Sequence, residues 1–269
     1  MSFPSYSIQN PNGVLVPLVL SIPHAGTGLP IDIAGSLRDE IISTLPDTDW
    51  FIVELYDFCA EMGIPIISAE FSRYVIDLNR PVEGISLYTD QRRQTDALPI
   101  TTFDGDPLYL DGKVPDAIER QRRIELYYRP YHTALRQLLV ATRQKFGQVL
   151  LFDAHSIRRE VPSLATEAFA DFIVGDRDGS SAAAILSQTL VASLGKKFFQ
   201  VRHNQPFKGG QITRIYGNPS QGMHALQLEM SQDIYLTDDR QGLEAKRVAK
   251  LRPVLKQALR NLIQQMEKL

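Results

Sequence analysis

The sequence predicts an α/β fold in which a mixed, mostly parallel sheet is flanked by helices. Short runs of β-branched and apolar residues alternate with helical patterns along the chain, which is typical of strands joined by crossover helices. Several of these runs are almost continuously apolar, as expected for strands buried on both faces. The 269 residues are 43% hydrophobic and contain no linker or shift in composition. We therefore predict a single domain that spans residues 1–269.

The first part of the chain contains two predicted strands and one predicted helix. Val14–Ile22 is an apolar run and predicts the first strand. A helix is expected over Trp50–Met62, with Asp47 as its N-cap and Gly63 at its end. Ile64–Ala69 then predicts the second strand.

The middle of the chain combines an irregular segment with a long helix. Gly84–Gly112 is polar and rich in Gly, Pro and Asp, and connections of this length often form lids or substrate walls. Pro115–Phe146 predicts a long helix, with a kink at Pro130. Gly147 ends it, and Val149–Phe152 follows as a buried strand.

The remaining elements continue the alternation. Predicted strands cover Phe169–Val174, Phe198–Val201 and Met223–Met230, and predicted helices cover Ser180–Leu194 and Leu243–Met266.

Composition limits the possible partners and compartments. A net charge of −2 argues against a broad surface for nucleic acid or anionic membranes. No segment is apolar and long enough for a membrane span. The single Cys59 excludes an intrachain disulfide, and we expect a buried structural thiol. Since Met1–Val14 lacks the features of a signal peptide, we predict a soluble, cytoplasmic protein. Its oligomeric state is left open.

Two histidines are the strongest indication of chemistry. His24 follows the first predicted strand, and His155 follows the strand Val149–Phe152. The carboxyl ends of parallel strands are where open α/β sheets place their active sites. Catalytic zinc sites commonly combine two histidines, one carboxylate and a water molecule. The pair therefore predicts a metal site, whereas either histidine alone would fit an ordinary loop or strand position equally well.

The third ligand is less well defined. Position 27 is Thr, so a His-x-x-Glu spacing does not supply the carboxylate. Asp49 is the candidate, although an acidic residue beside a helix start also complements the helix dipole. Asp153 is the runner-up, because strand alternation places it on the same side as His155, where it would either ligate or orient the imidazole.

The segment Arg73–Pro81 is a candidate for binding a carboxylate. The guanidinium of Arg80 matches a carboxylate in geometry, and the adjacent Asn79 can donate to the same group. The alternative interpretation is a structural ion pair of Asp77 with Arg80 or Arg73.

Glu229 is a candidate general base. In the strand Met223–Met230 it shares one face with Ala225 and Gln227, where an unpaired charge is costly unless it has a partner or a function. Beside an activated water molecule, a glutamate that is not a ligand commonly accepts the proton. His224 points the other way and is predicted to be structural.

The polar segment 202–214 offers further binding residues. Its Gly209-Gly210 pair allows the backbone to approach a ligand closely, and Arg214 is placed to hold a second anionic group. A flexible surface loop explains the same pattern. His132, on the long predicted helix, is expected to pack against its neighbours.

These motifs, in this order, resemble the N-formylglutamate amidohydrolase (N-formylglutamate deformylase) family. The matching segments are Ser-Ile-Pro-His-Ala-Gly at 21–26, Ser-Arg-Tyr-Val-Ile-Asp-Leu-Asn-Arg-Pro at 72–81, Phe-Asp-Ala-His-Ser at 152–156, Asn-Gln-Pro-Phe-Lys-Gly-Gly at 204–210 and Ala-Leu-Gln-Leu-Glu-Met at 225–230. The Asp-Leu-Asn-Arg at 77–80 is also similar to the carboxylate-binding motif of aspartoacylases, which are related to zinc carboxypeptidases.

The resemblance implies a phosphorylase/hydrolase-like fold with a site of the zinc-carboxypeptidase type. His24 and His155 match the metal histidines, Asn79 and Arg80 the pair that binds the substrate carboxylate, and Glu229 the general base. The substrate-binding loop at 204–210 brings in Asn204 and Gly210. The missing His-x-x-Glu is a departure from the carboxypeptidase pattern, so the carboxylate ligand stays open.

We therefore expect a metal-dependent amidohydrolase that converts N-formyl-L-glutamate to formate and L-glutamate, the last step of histidine degradation. Zn²⁺, or another divalent ion such as Co²⁺, is expected on His24, His155 and Asp49. Glu229 would move the proton, and Arg73 would help to stabilise the oxyanion. A dicarboxylate substrate calls for two cationic anchors, Arg80 and Arg214, with Arg73 in reserve.

Three alternatives remain. The first is an amidohydrolase for another acidic N-acyl amino acid or a γ-glutamyl peptide. The second is a non-catalytic carboxylate-binding protein with structural histidines. A serine hydrolase that uses Ser156 is the least favoured, because adjacent strand residues point to opposite faces and Ser156 is next to His155.

Overall fold

The computed structural model describes residues 4–84, 95–195 and 198–269. Its strands form one mixed sheet of seven strands. In chain order the strands are β1 (Tyr6–Gln9), β2 (Leu18–Ile22), β3 (Ile66–Ala69), β4 (Val149–Ile157), β5 (Phe172–Gly175), β6 (Val201–His203) and β7 (Met223–Ser231).

The sheet has the spatial order β1-β3-β2-β4-β7-β5-β6. The four central strands, β3, β2, β4 and β7, run parallel to one another. At the edges, β1 pairs with β3 and β5 pairs with β7 in antiparallel fashion, and β6 runs parallel to β5. The predicted α/β class and the mixed, mostly parallel sheet are therefore confirmed.

Helices cover both faces of this sheet. They are α1 (Ile31–Ala34), α2 (Asp39–Thr44), α3 (Ile52–Leu55), α4 (Ala117–Arg123), α5 (Arg129–Phe146), α6 (Ala184–Leu194), α7 (Gln211–Tyr216) and α8 (Ala245–Met266). A π-helical turn, Ile124–Tyr128, joins α4 to α5, and short 3-10 turns occupy Asp57–Cys59, Pro219–Gln221 and Gln232–Ile234.

Strand alternation divides the core into two layers. On one face, Leu20, Phe152 and Leu226 pack with side chains of α3, α6 and α8. On the other face, Val19 and Leu151 pack with side chains of α5 and α7. Because every second residue points to the opposite face, two covered faces require the nearly continuous apolar runs seen in the sequence.

β4 is longer than predicted, and this places His155 differently. The strand was expected to end at Phe152, but it continues to Ile157 in register with β7. The added residues 153–157 are buried and include three polar side chains that have hydrogen-bond partners. His155 therefore lies within the strand, opposite Glu229, rather than after its end.

Three predictions for the first part of the chain are wrong in detail. β2 begins at Leu18, and Val14 is exposed. The helix predicted over Trp50–Met62 is reduced to α3 and a following 3-10 turn: a left-handed Phe51 at φ 57° delays its start, and Tyr56 leaves helical geometry after Leu55. Asp47 is not an N-cap. Its carboxylate instead accepts hydrogen bonds from the Tyr74 hydroxyl and the Phe103 amide.

The predicted long helix Pro115–Phe146 consists of α4, the π turn and α5. Pro130 lies in the first turn of α5, where its missing N–H is tolerated. The departure from regular α-helical geometry therefore lies in the π turn Ile124–Tyr128, just before Pro130. The strand β1 was not predicted. It is an edge strand that pairs with β3, and its four residues are mostly exposed, so they do not form an apolar run.

The single cysteine is buried, as the sequence predicted. Cys59 is buried and not in a disulfide, and burial raises the pKa of its thiol. No helix in the described ranges is long and apolar enough to cross a membrane. Residues 85–94 of the irregular segment Gly84–Gly112, for which a lid or a substrate wall was considered, lie outside the described residues.

Candidate active site

His24, Asp49 and His155 lie together at the carboxyl end of the central strands. His24 follows β2, His155 is in β4, and Asp49 lies in the connection between α2 and α3. The Asp49 Oδ2 atom is 3.8 Å from Nδ1 of His24 and 3.2 Å from Nδ1 of His155. One ligand atom from each residue lies within 4.8 Å of the others, and all three residues are buried.

The opposite nitrogens of both imidazoles contact carboxylates. Nε2 of His24 lies 2.8 Å from Oδ1 of Asp77, and Nε2 of His155 lies 2.9 Å from Oδ2 of Asp153. Asp153 also accepts a hydrogen bond of 2.8 Å from the Ser21 hydroxyl. With the proton on Nε2, each Nδ1 presents its lone pair toward Asp49, which is the usual arrangement of metal-binding histidines.

The electrostatics of the two histidines differ. Burial lowers the pKa of His155, but the carboxylates of Asp153 and Asp49 outweigh burial and raise it well above its usual value. Burial and the nearby Arg73 lower the pKa of His24. Two imidazole nitrogens and a carboxylate oxygen are a donor set that suits a zinc-like divalent ion, so these residues fit a metal site.

Close packing fixes the loop that carries His24. A Cβ atom on Gly26 would lie 2.5 Å from the carbonyl oxygen of Phe71, so the loop approaches that segment as only glycine permits. The Gly28 amide donates to the Glu70 carbonyl, and the Asp49 amide donates to the His24 carbonyl. The backbone thus ties Asp49 directly to His24.

Arg73 and Asp77 form a buried ion pair beside His24. Nη2 of Arg73 is 2.5 Å from Oδ2 of Asp77, and its guanidinium lies over the Phe103 ring at 4.6 Å from the centroid. Burial would raise the pKa of Asp77, but Arg73 and His24 hold it well below its usual range. The structural ion pair considered from the sequence is therefore present, and Asp77 also contacts His24.

Asn79 and Arg80 follow on the same loop. Nδ2 of Asn79 lies 3.3 Å from Oδ2 of Asp153 and 3.0 Å from Nε2 of His155, while its Oδ1 accepts the Ile212 amide at 2.8 Å. Arg80 is partly buried and donates from Nε to the Thr95 hydroxyl and from Nη1 to the Asn79 carbonyl.

Glu229 lies beside His155 in the β4–β7 register. Withdrawal from water raises its pKa to about 8, with the charge of His155 opposing this shift. Nε2 of Gln227 donates to Oε2 of Glu229 at 3.4 Å, and Oε1 of Gln227 accepts the Gly210 amide at 2.8 Å. A Cβ on Gly210 would lie 2.4 Å from the Asn79 amide, so this position is also in close contact with the site.

These groups line one cavity of about 50 Å³. Its polar wall holds the three metal-binding candidates, two arginines and the base, which are His24, Asp49, His155, Arg73, Arg80 and Glu229. Its apolar wall consists of Phe103, Ile157, Leu164 and Phe207. The cavity therefore places a candidate base and cationic side chains around a candidate metal site, with room for a small reacting group.

Two predicted binding residues are not brought into this cavity lining. Nδ2 of Asn204 donates to Oδ1 of Asp176, and Oδ1 of Asn204 accepts a hydrogen bond from the backbone amide of Asp176. The side chain of Asn204 therefore links the residue that follows β5 to the residue that follows β6. Arg214 is an exposed residue of α7. The sequence predicted a polar loop over residues 202–214, whereas the helix α7 begins at Gln211 and includes Arg214.

His132 and His224, which were predicted to be structural, have structural contacts. His224 accepts the Ala183 amide. His132 contacts the Leu78 carbonyl and the Tyr216 hydroxyl. The Ser156 hydroxyl contacts the Tyr235 hydroxyl at 2.8 Å.

Sequence reasoning missed three contributors to the site. Phe103 falls in a segment that was treated as irregular, and no local pattern marks it. Gln227 shares a strand face with Glu229, so its position was visible but its contacts were not. The link from Asp77 to His24 joins residues 53 positions apart and required the fold.

Comparison with known proteins identifies the family of the chain. Residues 16–236 match the family model of N-formylglutamate amidohydrolase. N-formylglutamate deformylases of Pseudomonas putida and Pseudomonas aeruginosa are each 42% identical over 225 residues, which is 83% of both chains.

Two crystal structures share the fold. The N-formylglutamate amidohydrolase of Ralstonia eutropha JMP134 superposes with a TM-score of 0.84 at 26% identity and covers 99% of each chain. A gene product of Agrobacterium tumefaciens superposes with a TM-score of 0.73 at 20% identity, over 97% of this chain and 96% of its own. With a family match over most of its length, the chain belongs to the N-formylglutamate amidohydrolase family.

Proposed function

We propose that this protein hydrolyses the formamide bond of N-formyl-L-glutamate, with a divalent metal ion, to give formate and L-glutamate. The observation that carries the proposal is the cluster of His24, Asp49 and His155 beside Glu229 in one cavity. The names of the 42% identical relatives support the substrate. On the family resemblance, we place the reaction in the cytoplasm, as the last step of histidine degradation.

The metal ion belongs on Nδ1 of His24, Nδ1 of His155 and a carboxylate oxygen of Asp49. Zn²⁺ is the first choice because two imidazoles and one carboxylate are a common catalytic zinc set, and Co²⁺ accepts the same donors. When bound, such an ion polarises a carbonyl group and lowers the pKa of a water molecule. Asp153 and Asp77 hold the two imidazoles in the orientation that this set requires.

Arg80 binds one substrate carboxylate. Its guanidinium lines the cavity, and its Nε and Nη1 atoms are already held by Thr95 and the Asn79 carbonyl. Held in this way, the guanidinium loses little freedom when a carboxylate pairs with its remaining donors. Asn79 contacts both His155 and Asp153, so it connects the carboxylate site to the metal site.

Glu229 acts as the general base and then as the general acid. It accepts a proton as the water oxygen adds to the formyl carbon, and it returns a proton to the amine nitrogen as the C–N bond breaks. A pKa of about 8 brings this carboxyl close to the pH range in which one group can serve both roles. Arg73 stabilises the charge that develops on the carbonyl oxygen, and Asp77 fixes its guanidinium.

The size of the cavity favours a formyl group over larger acyl groups. About 50 Å³ is open between the polar groups and the apolar wall of Phe103, Ile157, Leu164 and Phe207. Because this open space beside the metal-binding candidates is small, we expect a formyl group to be accepted more readily than a larger acyl group.

Product analysis tests the proposal. Purified protein is incubated with N-formyl-L-glutamate, and formate and glutamate are measured over time; we expect them in equal amounts. N-acetyl-L-glutamate, a γ-glutamyl dipeptide and N-formyl-L-alanine serve as comparison substrates and should react at least about tenfold more slowly. Faster turnover of the acetyl or γ-glutamyl compound would indicate a different amidohydrolase. Binding of glutamate without turnover of any of these compounds would indicate a carboxylate-binding protein.

A further inference from the structure

Side chains of α4, the π turn and α5 hold the main chain of one active-site loop. We call this segment, Ser72–Arg80, the carboxylate loop. Four of its carbonyl oxygens accept hydrogen bonds from Arg123, Tyr128 and His132. These acceptors are the carbonyl oxygens of Tyr74, Val75, Leu78 and Arg80.

Arg123 holds the start of the carboxylate loop. Its Nη1 atom donates to the carbonyl oxygens of Tyr74 at 3.4 Å and Val75 at 3.2 Å. The residue is 2% exposed, and its Nε atom pairs with Glu119 at 2.7 Å, which compensates the buried charge. A buried guanidinium with fixed partners is a rigid support for the backbone that it contacts.

Tyr128 and His132 hold the end of the loop. The Tyr128 hydroxyl donates to the carbonyl oxygen of Arg80 at 3.1 Å. Nε2 of His132 contacts the carbonyl oxygen of Leu78 at 2.9 Å, and since a carbonyl only accepts, the imidazole donates. These two contacts flank Asn79, so the backbone on both sides of that residue is anchored to one helix.

The π turn places the three donors on a common side. Arg123, Tyr128 and His132 are separated by five and four residues. In an uninterrupted α-helix, residues five apart point about 140° away from each other. The turn Ile124–Tyr128 has the wider π geometry, which absorbs one extra residue and returns Tyr128 to the side of Arg123.

We propose that this π turn is a positioning device for substrate binding, and that Tyr128 is a positioning residue for Arg80. The hydroxyl of Tyr128 fixes the Arg80 backbone, and through it the guanidinium that binds the substrate carboxylate. The inference rests on the proposed function for the role of Arg80. Tyr128 does not line the cavity, so it acts through Arg80 rather than by touching the substrate.

Tyr127 provides a matched control. It precedes Tyr128 in the same turn, but its ring packs against Phe71 with 5.0 Å between centroids, and in the described part of the chain it makes none of the hydrogen bonds that hold the carbonyl oxygens of the carboxylate loop. Changing either tyrosine to phenylalanine removes one hydroxyl from the same turn. The pair therefore separates the contact with Arg80 from a general effect on the helix.

The test compares Tyr128→Phe and Tyr127→Phe with wild-type protein in the metal-loaded state. The readouts are kcat and KM for N-formyl-L-glutamate, the calorimetric Kd for L-glutamate, and Tm. We expect Tyr128→Phe to raise KM and the glutamate Kd about threefold to tenfold, the scale of one lost hydrogen bond, with kcat within about twofold. Tyr127→Phe should leave both constants unchanged.

Two results would overturn the inference. One is an unchanged KM and Kd in Tyr128→Phe, and the other is an equal rise in both variants. Failure of the proposed function is seen separately, as absent formate release by wild-type protein. The glutamate Kd values still decide the inference in that case, because they need no turnover, and a wild-type protein that binds no glutamate also contradicts it.

Discussion

The Nε2 atom of His155 lies 2.9 Å from Oδ2 of Asp153, two residues earlier on the same strand. Strand alternation places the two side chains on one face, and Asp153 is fully buried there. Its contact leaves Nδ1 of His155 facing Asp49. Asp153 is thereby positioned to orient the imidazole, which is one of the two roles that the sequence left open for it.

Asp153→Asn tests this orienting role. An amide can present its N–H to Nε2 and favour the tautomer that protonates Nδ1, so the affinity for Zn²⁺ should fall about 10- to 100-fold. Competition with a chromophoric chelator measures this affinity. The control is Asp111→Asn, because the Asp111 side chain is fully exposed. An unchanged Zn²⁺ affinity in Asp153→Asn would remove Asp153 from the metal site.

Glu229→Gln tests the general base. The amide keeps the size of the side chain but cannot accept the proton, so kcat should fall by about 10²-fold or more. Bound metal and the Kd for L-glutamate should stay close to wild type, because neither depends on proton transfer. Glu160→Gln, an exposed position shortly after the end of β4, is the control. Near-normal turnover in Glu229→Gln would exclude this residue as the base.

Arg80→Gln and Arg214→Gln test which arginine binds the substrate. Arg80 lines the cavity, and loss of a charged hydrogen bond should raise KM about 10- to 100-fold with a smaller effect on kcat. Arg214 is exposed on α7 and was selected from the sequence as the second anchor. On the structure we expect little change in KM for Arg214→Gln. A large rise there, with none for Arg80→Gln, would reverse the assignment.

The stability of the fold should depend on pH through His132. Burial lowers the pKa of this residue from 6.5 to about 4; the Leu78 carbonyl and the charge of Asp153 oppose the shift, and Arg136 adds to it. The unfolded chain therefore binds a proton near pH 6.5 that the folded protein takes up only near pH 4. The stabilisation is complete above pH 6.5 and is lost as the pH falls toward 4, by up to about 3 kcal/mol.

Urea unfolding at several pH values between 4 and 7 measures this loss. His132→Gln does not titrate and retains a donor for the Leu78 carbonyl, so its free energy of unfolding should fall less steeply with acidification than that of wild-type protein. Parallel pH profiles for the two proteins would show that His132 does not contribute.

The sequence was sufficient for the central strands of the sheet and for much of the site because these depend on local patterns. Apolar runs predicted the central strands, and motifs at strand ends selected His24 and His155. Residue chemistry and strand position singled out Asn79, Arg80 and Glu229, the family resemblance supported their roles, and the structure places all three in one cavity. Asp49 was the candidate third ligand, with helix-start charge as the alternative interpretation; that helix is largely absent, and the backbone brings Asp49 to His24.

The parts that were missed depend on tertiary structure. The extension of β4 depends on pairing with β7, which lets residues 153–157, three of them polar, continue a strand that looks complete at Phe152. Asn204 lies in a family motif, but its side-chain amide is hydrogen-bonded to Asp176, a residue that only the fold brings next to it. The π turn before Pro130 has no sequence signal that separates it from a regular helix.

Formate release with controlled metal content tests the central claim most directly. The protein is purified without a His-tag, stripped with a chelator, dialysed, and assayed with N-formyl-L-glutamate before and after addition of Zn²⁺ or Co²⁺. We predict that stripped protein loses nearly all activity and that one equivalent of ion restores it, whereas His24→Ala protein stays inactive at the same ion concentration. Full formate release by the stripped, metal-free protein would contradict the account.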